Sequence, residues 1–326
     1  MSDYKEVVGT AVQNVAGNPP APLEGELWYN SSTGSFKIYK ESVAGAWATG
    51  GNINRGIKEG RGTGTQTAAL LVGGEPGPGV QTEIYNGTSW TNKNDQNQAR
   101  LTGGMAGTNT AAIIAGGRGP NPTVNAETWN GTNWTEVNNL NLGRNGLEGA
   151  GTLTAALVFG GTQPNPNSQE TETETWNGTN WTEVADLNTA RAHGGGAGAT
   201  NTSALYFGGI VPGPTTSGIN ELWNGSSWTE VNDLNLARTF NAGTGTSTAA
   251  LSMGGPPPGE IGNIESWNGT NWTTMTDANV GTPGPAGGGG QAAGSNTAGL
   301  LFGGEGRVTA TEEFNSPAVI IQTITS

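Results

Sequence analysis

The chain has no cysteine, a single histidine and few charged residues of either sign. Without cysteine there can be no disulfide, no thiol nucleophile and no cysteine metal site. One histidine, His193, cannot by itself build a zinc centre or a catalytic triad. Lysine and arginine number 13 against 26 acidic residues, for a formal net charge of −13. We therefore expect no cofactor and no binding to a nucleic-acid backbone.

Long apolar runs are missing as well. No stretch approaches the ~18 apolar residues that a membrane-spanning helix needs. The first ten residues, "MSDYKEVVGT", lack the basic and apolar blocks of a signal peptide. We expect neither membrane insertion nor secretion by that route, so the many N-x-[ST] patterns carry little weight as glycosylation sites.

What the chain has is glycine, 57 of 326 residues, together with abundant asparagine, threonine and serine. These residues form turns and strands more readily than helices. No segment shows a sustained period of 3.6 residues. The composition therefore predicts an all-β protein with many short strands and turns.

A repeat of 44 to 47 residues runs along the chain, and its most regular feature is a pair of aromatics five residues apart. A glutamate stands two residues before the first aromatic, and a double glycine ends an apolar run upstream, as in "TAALLVGG". The paired aromatics are Tyr85 and Trp90, Trp129 and Trp134, Trp176 and Trp181, Trp223 and Trp228, and Trp267 and Trp272, and Phe314 is a sixth first aromatic.

An arginine opens each of the first five units: Arg55, Arg100, Arg144, Arg191 and Arg238. Thr282 stands near that place in the sixth unit. A period of ~45 residues suits a four-stranded blade of a β-propeller. The glycine-rich inner strand follows the arginine, where strands crowd near the axis.

The ends of the chain can be fitted to the same frame. Trp47 lies 43 residues before Trp90, and Val319 lies 47 residues after Trp272. Residues 1–50 then form a diverged first blade, and residues 51–326 the rest of the repeat array. We predict seven four-stranded blades, with six blades plus an N-terminal hairpin arm as the alternative.

The arginine, the double glycine, the first aromatic and the tryptophan together resemble kelch repeats over about residues 52–326, most closely in "RAHGGGAGATNTSALYFGG" followed by "ELWNGSSW". The resemblance implies a β-propeller but no particular function. A narrower resemblance, "PPAPLEGELWYNSSTGSFKIY" followed by "GAW", is to tail-fibre and other virion proteins of tailed phages. The Asn/Gly/Thr-rich units also look like proteins of marine phages. This resemblance implies a virion structural protein, with residues 1–50 as its docking arm or first blade.

The sequence lacks the residues on which two known enzyme activities of β-propellers depend. Copper oxidases resembling galactose oxidase need a cysteine cross-linked to tyrosine, and sialidases carry a repeated S-x-D-x-G-x-x-W pattern; both are absent. We expect no enzyme activity and a packing role for His193. The repeated glutamates should be structural and form a repeated hydrogen bond between blades. The residues five after each second tryptophan should bond turn amides, with cation binding as the alternative: Asp95, Asn139, Asp186, Asp233 and Asp277.

The loops suggest where recognition could occur. In a four-stranded meander the strand 4–1 connections, which carry the arginines, share a face with the strand 2–3 loops, which vary between units. We predict that this face, including the five arginines, contacts a partner; the alternative is that the arginines pair with acidic neighbours. We expect a non-enzymatic tail-fibre-like or appendage propeller in the virion, assembled in the host cytoplasm. Its partners would be other virion proteins and a host-surface glycan or protein; a free lectin or adaptor is the alternative. The oligomeric state stays open, a homo-oligomer included.

The stretch "ETWNGTNWTEV" raises a last question. Trp129 and Trp134 flank the turn "NGTN" and should pair on one face of the sheet. We predict that the repeated aromatics pack between blades, with a ring of sugar-stacking platforms as the alternative. Asn130 and Gly131 should form a tight turn, because glycine accepts positive φ and asparagine tolerates it.

Overall fold

The computed structural model describes residues 12–17, 27–41, 45–76, 79–119, 121–163, 168–255, 262–279, 291–304, 306–316 and 319–323. Across these residues every regular element is a β-strand. The first strands in chain order are β1 (Gln13–Val15), β2 (Leu27–Asn30), β3 (Ser35–Glu41), β4 (Ala46–Thr49), β5 (Lys58–Thr65), β6 (Ala68–Glu75), β7 (Thr82–Tyr85), β8 (Trp90–Asn92), β9 (Gly104–Gly107), β10 (Ala112–Ala115), β11 (Ala126–Trp129), β12 (Trp134–Val137), β13 (Glu148–Thr152), β14 (Ala155–Phe159), β15 (Thr173–Trp176) and β16 (Trp181–Val184). The others are β17 (Gly195–Thr200), β18 (Ser203–Phe207), β19 (Ile210–Val211), β20 (Thr215–Thr216), β21 (Asn220–Trp223), β22 (Trp228–Val231), β23 (Ala242–Thr246), β24 (Ala249–Met253), β25 (Ile264–Trp267), β26 (Trp272–Thr274), β27 (Gln291–Gly294), β28 (Ala298–Phe302), β29 (Thr311–Asn315) and β30 (Val319–Thr323).

The chain forms two compact units, one of residues 1–46 with 316–326 and one of residues 47–315. The larger unit is a β-propeller of six four-stranded antiparallel sheets, which we number blades 1 to 6. Blades 1 to 5 begin with the inner strands β5, β9, β13, β17 and β23. Blade 6 has the order β27-β28-β29-β4. Each inner strand contacts those of the blades before and after it, and β27 contacts β5, which closes the ring.

The preferred count of seven blades is therefore wrong, and the propeller has the six blades of the alternative. Trp47 lies on β4, the outermost strand of blade 6, and its ring packs 5.2 Å from that of Phe314. A 43-residue spacing before Trp90 fits a closing strand of the last blade as well as an additional blade. The sequence distance alone could not separate the two.

The smaller unit holds a seventh four-stranded sheet, ordered β1-β2-β3-β30, which differs from a blade. Strands β1 and β2 pair in parallel, whereas β2–β3 and β3–β30 are antiparallel. Val319, expected in the repeat array, begins β30 and pairs with Glu41 of β3. Trp28 on β2 is fully buried. The segment after residue 316 therefore belongs with the N-terminal segment.

The propeller core lies between neighbouring blades. Leu70 and Val72 of blade 1, for example, pack against Ile114 and Trp134 of blade 2. The predicted crowding of inner strands is confirmed: a Cβ added to Gly149 would lie 2.5 Å from the Met105 carbonyl oxygen of the blade before. Glycine on these strands thus lets adjacent backbones approach each other.

The propeller has two distinct faces. Bridges join the segment before an inner strand to the strand 2–3 loop of the same blade, as between Asn145 and Thr162 and between Ala192 and Ile210. We call this side the loop face. The turns between strands 1 and 2 and between strands 3 and 4 lie on the opposite side, the turn face. The predicted sharing of one face by the 4–1 and 2–3 connections is confirmed.

Candidate functional site on the propeller axis

The arginines that were predicted to contact a partner are interior residues in four of the five units. Arg100, Arg144, Arg191 and Arg238 are at most 1% exposed. Each guanidinium pairs with the glutamate on the third strand of its blade, and the shortest N···O distances are 2.6, 2.9, 3.0 and 2.6 Å in chain order. These four side chains cannot reach a partner, so the contact prediction is corrected and its alternative, pairing with acidic neighbours, holds.

Each of these glutamates also anchors an asparagine that the sequence reasoning missed. Asn141, for example, donates its backbone N–H (2.8 Å) and its side-chain amide (2.9 Å) to Glu174 Oε2, while Arg144 bonds Oε1. The equivalent asparagines are Asn97, Asn188 and Asn235. The repeated glutamates are therefore structural, but the carboxylate bonds the connection that leads into its own blade and not a strand of the neighbouring blade.

The first unit does not follow this pattern. Asn54 donates to Glu83 as expected, but Arg55 lies next to Asn54 instead of three residues beyond it, and it bonds Gln81 Oε1 at 2.7 Å. Ile57, which is 2% exposed, occupies the position that the buried arginine has in the next four units. The Ile57 carbonyl accepts the Gly304 N–H as the Arg144 carbonyl accepts that of Gly117. Thr282, the corresponding residue of the sixth unit, lies outside the described residues.

The repeated aromatics are packing residues, as predicted. Every one of the eleven is 6% exposed or less. The pairs are direct cross-strand neighbours with ring centroids 5.1–5.4 Å apart. The alternative of sugar-stacking platforms is excluded, because a buried ring cannot stack on a sugar.

The second tryptophan of a pair also bonds the preceding blade. Trp134 Nε1 donates to Thr82 Oγ1 at 2.9 Å, and Trp228 Nε1 donates to Thr173 Oγ1 at 3.0 Å. In blade 3 the corresponding Trp181 Nε1 has no hydrogen-bond partner among the described residues. The residue equivalent to the threonine is there Ala126, which has no hydroxyl. Trp272 Nε1 of blade 5 likewise has no partner among the described residues, and the equivalent residue of blade 4 is Asn220. Only some of the blade junctions therefore contain this hydrogen bond.

The turn after the first aromatic has the expected geometry with one difference. Gly131 has φ 90°, and Asn130 Oδ1 accepts the backbone N–H groups of Thr132 and Asn133 at 3.0 and 2.8 Å. Asn130 itself has no positive φ. Its role is the side-chain cap, which explains the N-x-[ST] pattern through turn chemistry.

Bonding of turn amides by the residues five after each second tryptophan is not seen in the described parts of the chain; Asp233 instead accepts the N–H of Asn220, the first residue of β21, at 3.2 Å. The five residues, Asp95, Asn139, Asp186, Asp233 and Asp277, are exposed. The neighbouring asparagine does more: Asn138 donates to Asn180 Oδ1 of the next blade at 2.8 Å. Within the described parts of the chain no three His, Cys, Asp or Glu side chains are grouped to hold a metal.

Around the axis on the loop face, five equivalent residues form a backbone collar. Glu59, Thr102, Gly146, His193 and Phe240 all have φ between 52° and 65°. Each of the last four donates its N–H to the carbonyl of the one before, at 2.6–3.0 Å. Left-handed backbone in a non-glycine residue is unfavourable. The successive hydrogen bonds hold these residues in that conformation.

Two charged residues lie on the axis next to the collar. Arg61 on β5 and Glu148 on β13 pair at 3.0 Å, and both are about one-sixth exposed (16% and 15%). Arg61 also donates from Nε to the Gly103 carbonyl (2.5 Å) and from Nη2 to that of Leu147 (3.0 Å). Burial raises the pKa of Glu148 to about 7, although Arg61 opposes the shift.

His193 closes the same region from the collar. Its ring lies 4.4 Å from that of Phe240, and a Cβ on Gly146 would overlap it. Burial, together with the charges of Arg61 and Arg118, lowers its pKa to about 3. The imidazole is therefore neutral near pH 7, and it packs as the sequence predicted.

The axis encloses a cavity of about 570 Å³, lined by residues of all six inner strands. Arg61 and Glu148 line it, and they also line a second cavity of about 20 Å³ that includes His193 and Phe240. The larger cavity extends to residues of the strand 1–2 turns, such as Thr108 and Thr154, on the turn face. The axis is thus a pit whose polar end lies toward the loop face.

The predicted variable loops are only partly within the described residues, because 77–78, 120, 164–167 and 256–261 lie outside them. The loop of blade 4 is complete and forms a small hairpin, β19 with β20. Residues 212–216 of this hairpin are exposed. The described residues include no helix that is long and apolar enough to cross a membrane.

Comparison with known proteins supports the fold and nothing narrower. No protein-family profile and no curated protein matches the sequence. Among solved structures, YjhT aligns with a TM-score of 0.66 at 12% identity, covering 83% of this chain and 99% of that one. At such low identity the likeness concerns the architecture alone, and it agrees with a β-propeller.

Proposed function

We propose that the chain is a non-enzymatic structural component of a phage virion, a tail-fibre-like or appendage propeller. The observation that carries the proposal is the division into two units. The segment that resembles phage fibre proteins lies almost wholly in the smaller unit, where β2 pairs with β3 and β3 pairs with β30. A separate sheet for attachment and a propeller for display is an arrangement that suits an appendage.

The chemistry of the propeller fits a binding or structural role. The repeated arginines and glutamates neutralise each other inside the blades. His193 is held neutral and packed against Phe240. Host contact in this proposal falls to the strand 2–3 loops of the loop face, because the buried arginines cannot supply it. Other virion proteins are the partners of the smaller unit.

Labelling of purified particles tests the proposal. Gold-conjugated antibody raised against residues 47–315 should mark one defined position on intact virions. Antibody against an unrelated host cytoplasmic protein serves as the control. Particles that carry no label, while the infected-cell lysate contains the protein, would contradict a virion location.

A second candidate is a free lectin or adaptor. The exposed hairpin of β19 and β20 favours it, since a preformed loop on a rigid scaffold is a common binding element. Such a protein would bind a glycan or peptide saturably as an isolated monomer. A glycan array combined with sedimentation of the purified chain separates this candidate from the first.

A further inference from the structure

The turn face carries a feature that neither proposed function uses. At the end of every inner strand a glycine is followed by a hydroxyl residue, immediately or one position later, and a threonine comes two residues after that, as in "GTNTA". The first hydroxyls of the six blades are Thr65, Thr108, Thr152, Thr200, Thr246 and Ser295, all exposed or half-exposed. We call these six positions the hydroxyl ring, and two of them, Thr108 and Thr152, line the axial cavity.

These hydroxyls make local bonds but keep capacity for a ligand. Thr108 Oγ1 lies 3.4 Å from Thr110 Oγ1, and Ser295 Oγ lies 3.2 Å from Thr297 Oγ1. A hydroxyl can donate one hydrogen bond and accept two. Each pair can thus still bond a polar group that approaches the opening.

The pit behind the ring has the size and the polar groups of a binding site. Its volume of about 570 Å³ lies within the roughly 300–1,000 Å³ of small-molecule pockets. Arg61 Nη1 and Glu148 Oε2 have no hydrogen-bond partner among the described residues, although both side chains line the cavity. The end of the pit therefore offers an unused donor next to an unused acceptor.

From this geometry we infer that the turn-face pit binds the end of a neutral saccharide chain. Vicinal hydroxyls supply the adjacent donor and acceptor that Arg61 and Glu148 require, and further hydroxyls meet Thr108 and Thr152, which line the same cavity. An anionic ligand fits less well, because Glu148 already pairs with Arg61 at 3.0 Å and the protein has a net charge of −13. The site lies opposite the loop face, and it does not depend on a virion location.

Titration of the full chain with neutral trisaccharides built from glucose, galactose, mannose or N-acetylglucosamine tests the inference by calorimetry and saturation-transfer NMR. Thr152→Trp puts a large ring at the opening from an exposed turn position. We expect it to weaken binding by at least about tenfold. Thr179→Trp, at an exposed turn of the same blade and face but away from the axis, is the matched control and should bind as the unmodified chain does.

Glu148→Gln is the second variant, since it keeps the size of the side chain at the end of the pit. It should weaken binding while leaving the thermal unfolding transition sharp, which shows that the loss does not come from unfolding. The inference is overturned if none of the trisaccharides binds, if only acidic saccharides bind, or if Thr152→Trp binds as tightly as Thr179→Trp.

Discussion

Blades 2 to 5 share one arrangement of buried contacts, whereas the closing junction and a few single residues depart from it. In the repeated blades a buried arginine and an asparagine share one glutamate, and paired aromatics pack against the preceding blade. At the closing junction Ile57 replaces the arginine and β4 is supplied from the N-terminal side. Ala126 lacks the hydroxyl that Thr82 and Thr173 supply in blades 1 and 3. Arg61 and Glu148 stand where blades 2, 4 and 5 have small inner-strand residues.

The difference separates structure from candidate function. A residue that recurs from blade to blade is explained by the contacts that those blades share, and the arginines of blades 2 to 5 show this most clearly. A residue present once cannot be explained by the repeat. Arg61 and Glu148 are such residues, since Gly104, Gly195 and Ala242 stand at the equivalent place in blades 2, 4 and 5. The departures are therefore where a ligand site should be sought.

The largest expected effect comes from replacing a buried arginine of blades 2 to 5 by isoleucine, the residue found at the closing junction. Arg144→Ile leaves Glu174 buried without its guanidinium, and we expect a loss of about 3–5 kcal/mol in the free energy of unfolding. Urea denaturation of the two chains measures it. Arg55→Ile, at a partly exposed arginine without a buried ion pair, is the control and should cost far less. Equal losses in the free energy of unfolding for the two variants would show that the buried ion pair stabilises the chain no more than the exposed arginine does.

The distances between repeated residues in the sequence also identify the asparagine and show where the arginine is missing. Counted from the second tryptophan, the asparagine comes at seven residues and the arginine at ten: Trp134, Asn141 and Arg144 show this. The same count from Trp47 gives Asn54 and Ile57. Arg55 is therefore out of register on the sequence alone. Blade architecture, structural glutamates and aromatic packing were all predictable, because each recurs at a fixed spacing.

The closing strand offers the second test of the comparison. Trp134 is 6% exposed between two blades, so Trp134→Ala should cost about 3–5 kcal/mol. Trp47 is only partly buried against Phe314, and its Nε1 donates to the Thr276 carbonyl at an exposed position. Trp47→Ala should therefore cost roughly half as much. Urea denaturation of both variants measures the two losses in free energy of unfolding. A larger loss for Trp47→Ala would mean that strand β4 stabilises the closed ring more than a repeated blade junction does.

The third test concerns the unrepeated Glu148. Its pKa of about 7 in the folded chain lies above the ordinary 4.5, so between these pH values the folded chain holds a proton that the unfolded chain releases. The stability contributed by this proton is present below pH 4.5 and lost as the pH rises through 7. Relative to Glu148→Gln, the unmodified chain should thus lose stability between about pH 5 and 8.

Unfolding free energies measured across that range for both chains check the slope. Glu230→Gln, which removes an exposed carboxylate on β22, is the control and should leave the slope of the unmodified chain unchanged. Parallel curves for the unmodified chain and Glu148→Gln would mean that the carboxyl is already ionised at pH 5.

The axis could not be predicted from the sequence, for a physical reason. The collar residues Glu59, Thr102, Gly146, His193 and Phe240 share no chemistry, because their common feature is a left-handed backbone held by hydrogen bonds between blades. Arg61 and Glu148 are 87 positions apart and meet only because the ring is closed. Contacts of this kind depend on the radius of the ring, and hence on the number of blades.

The smallest expected effect comes from a substitution that adds a missing hydrogen bond between two blades. Ala126→Thr introduces the hydroxyl that Thr82 and Thr173 supply in other blades, so Trp181 Nε1 should gain an acceptor. We expect the free energy of unfolding to rise by about 0.5–1.5 kcal/mol. The reciprocal Thr82→Ala orphans Trp134 Nε1 and should cost about 1–3 kcal/mol. Thermal unfolding of the two variants and of the double variant measures both. Destabilisation by Ala126→Thr would mean that blades 2 and 3 are packed too closely for the added hydroxyl and methyl groups, and that the alanine is required by the shape of that junction.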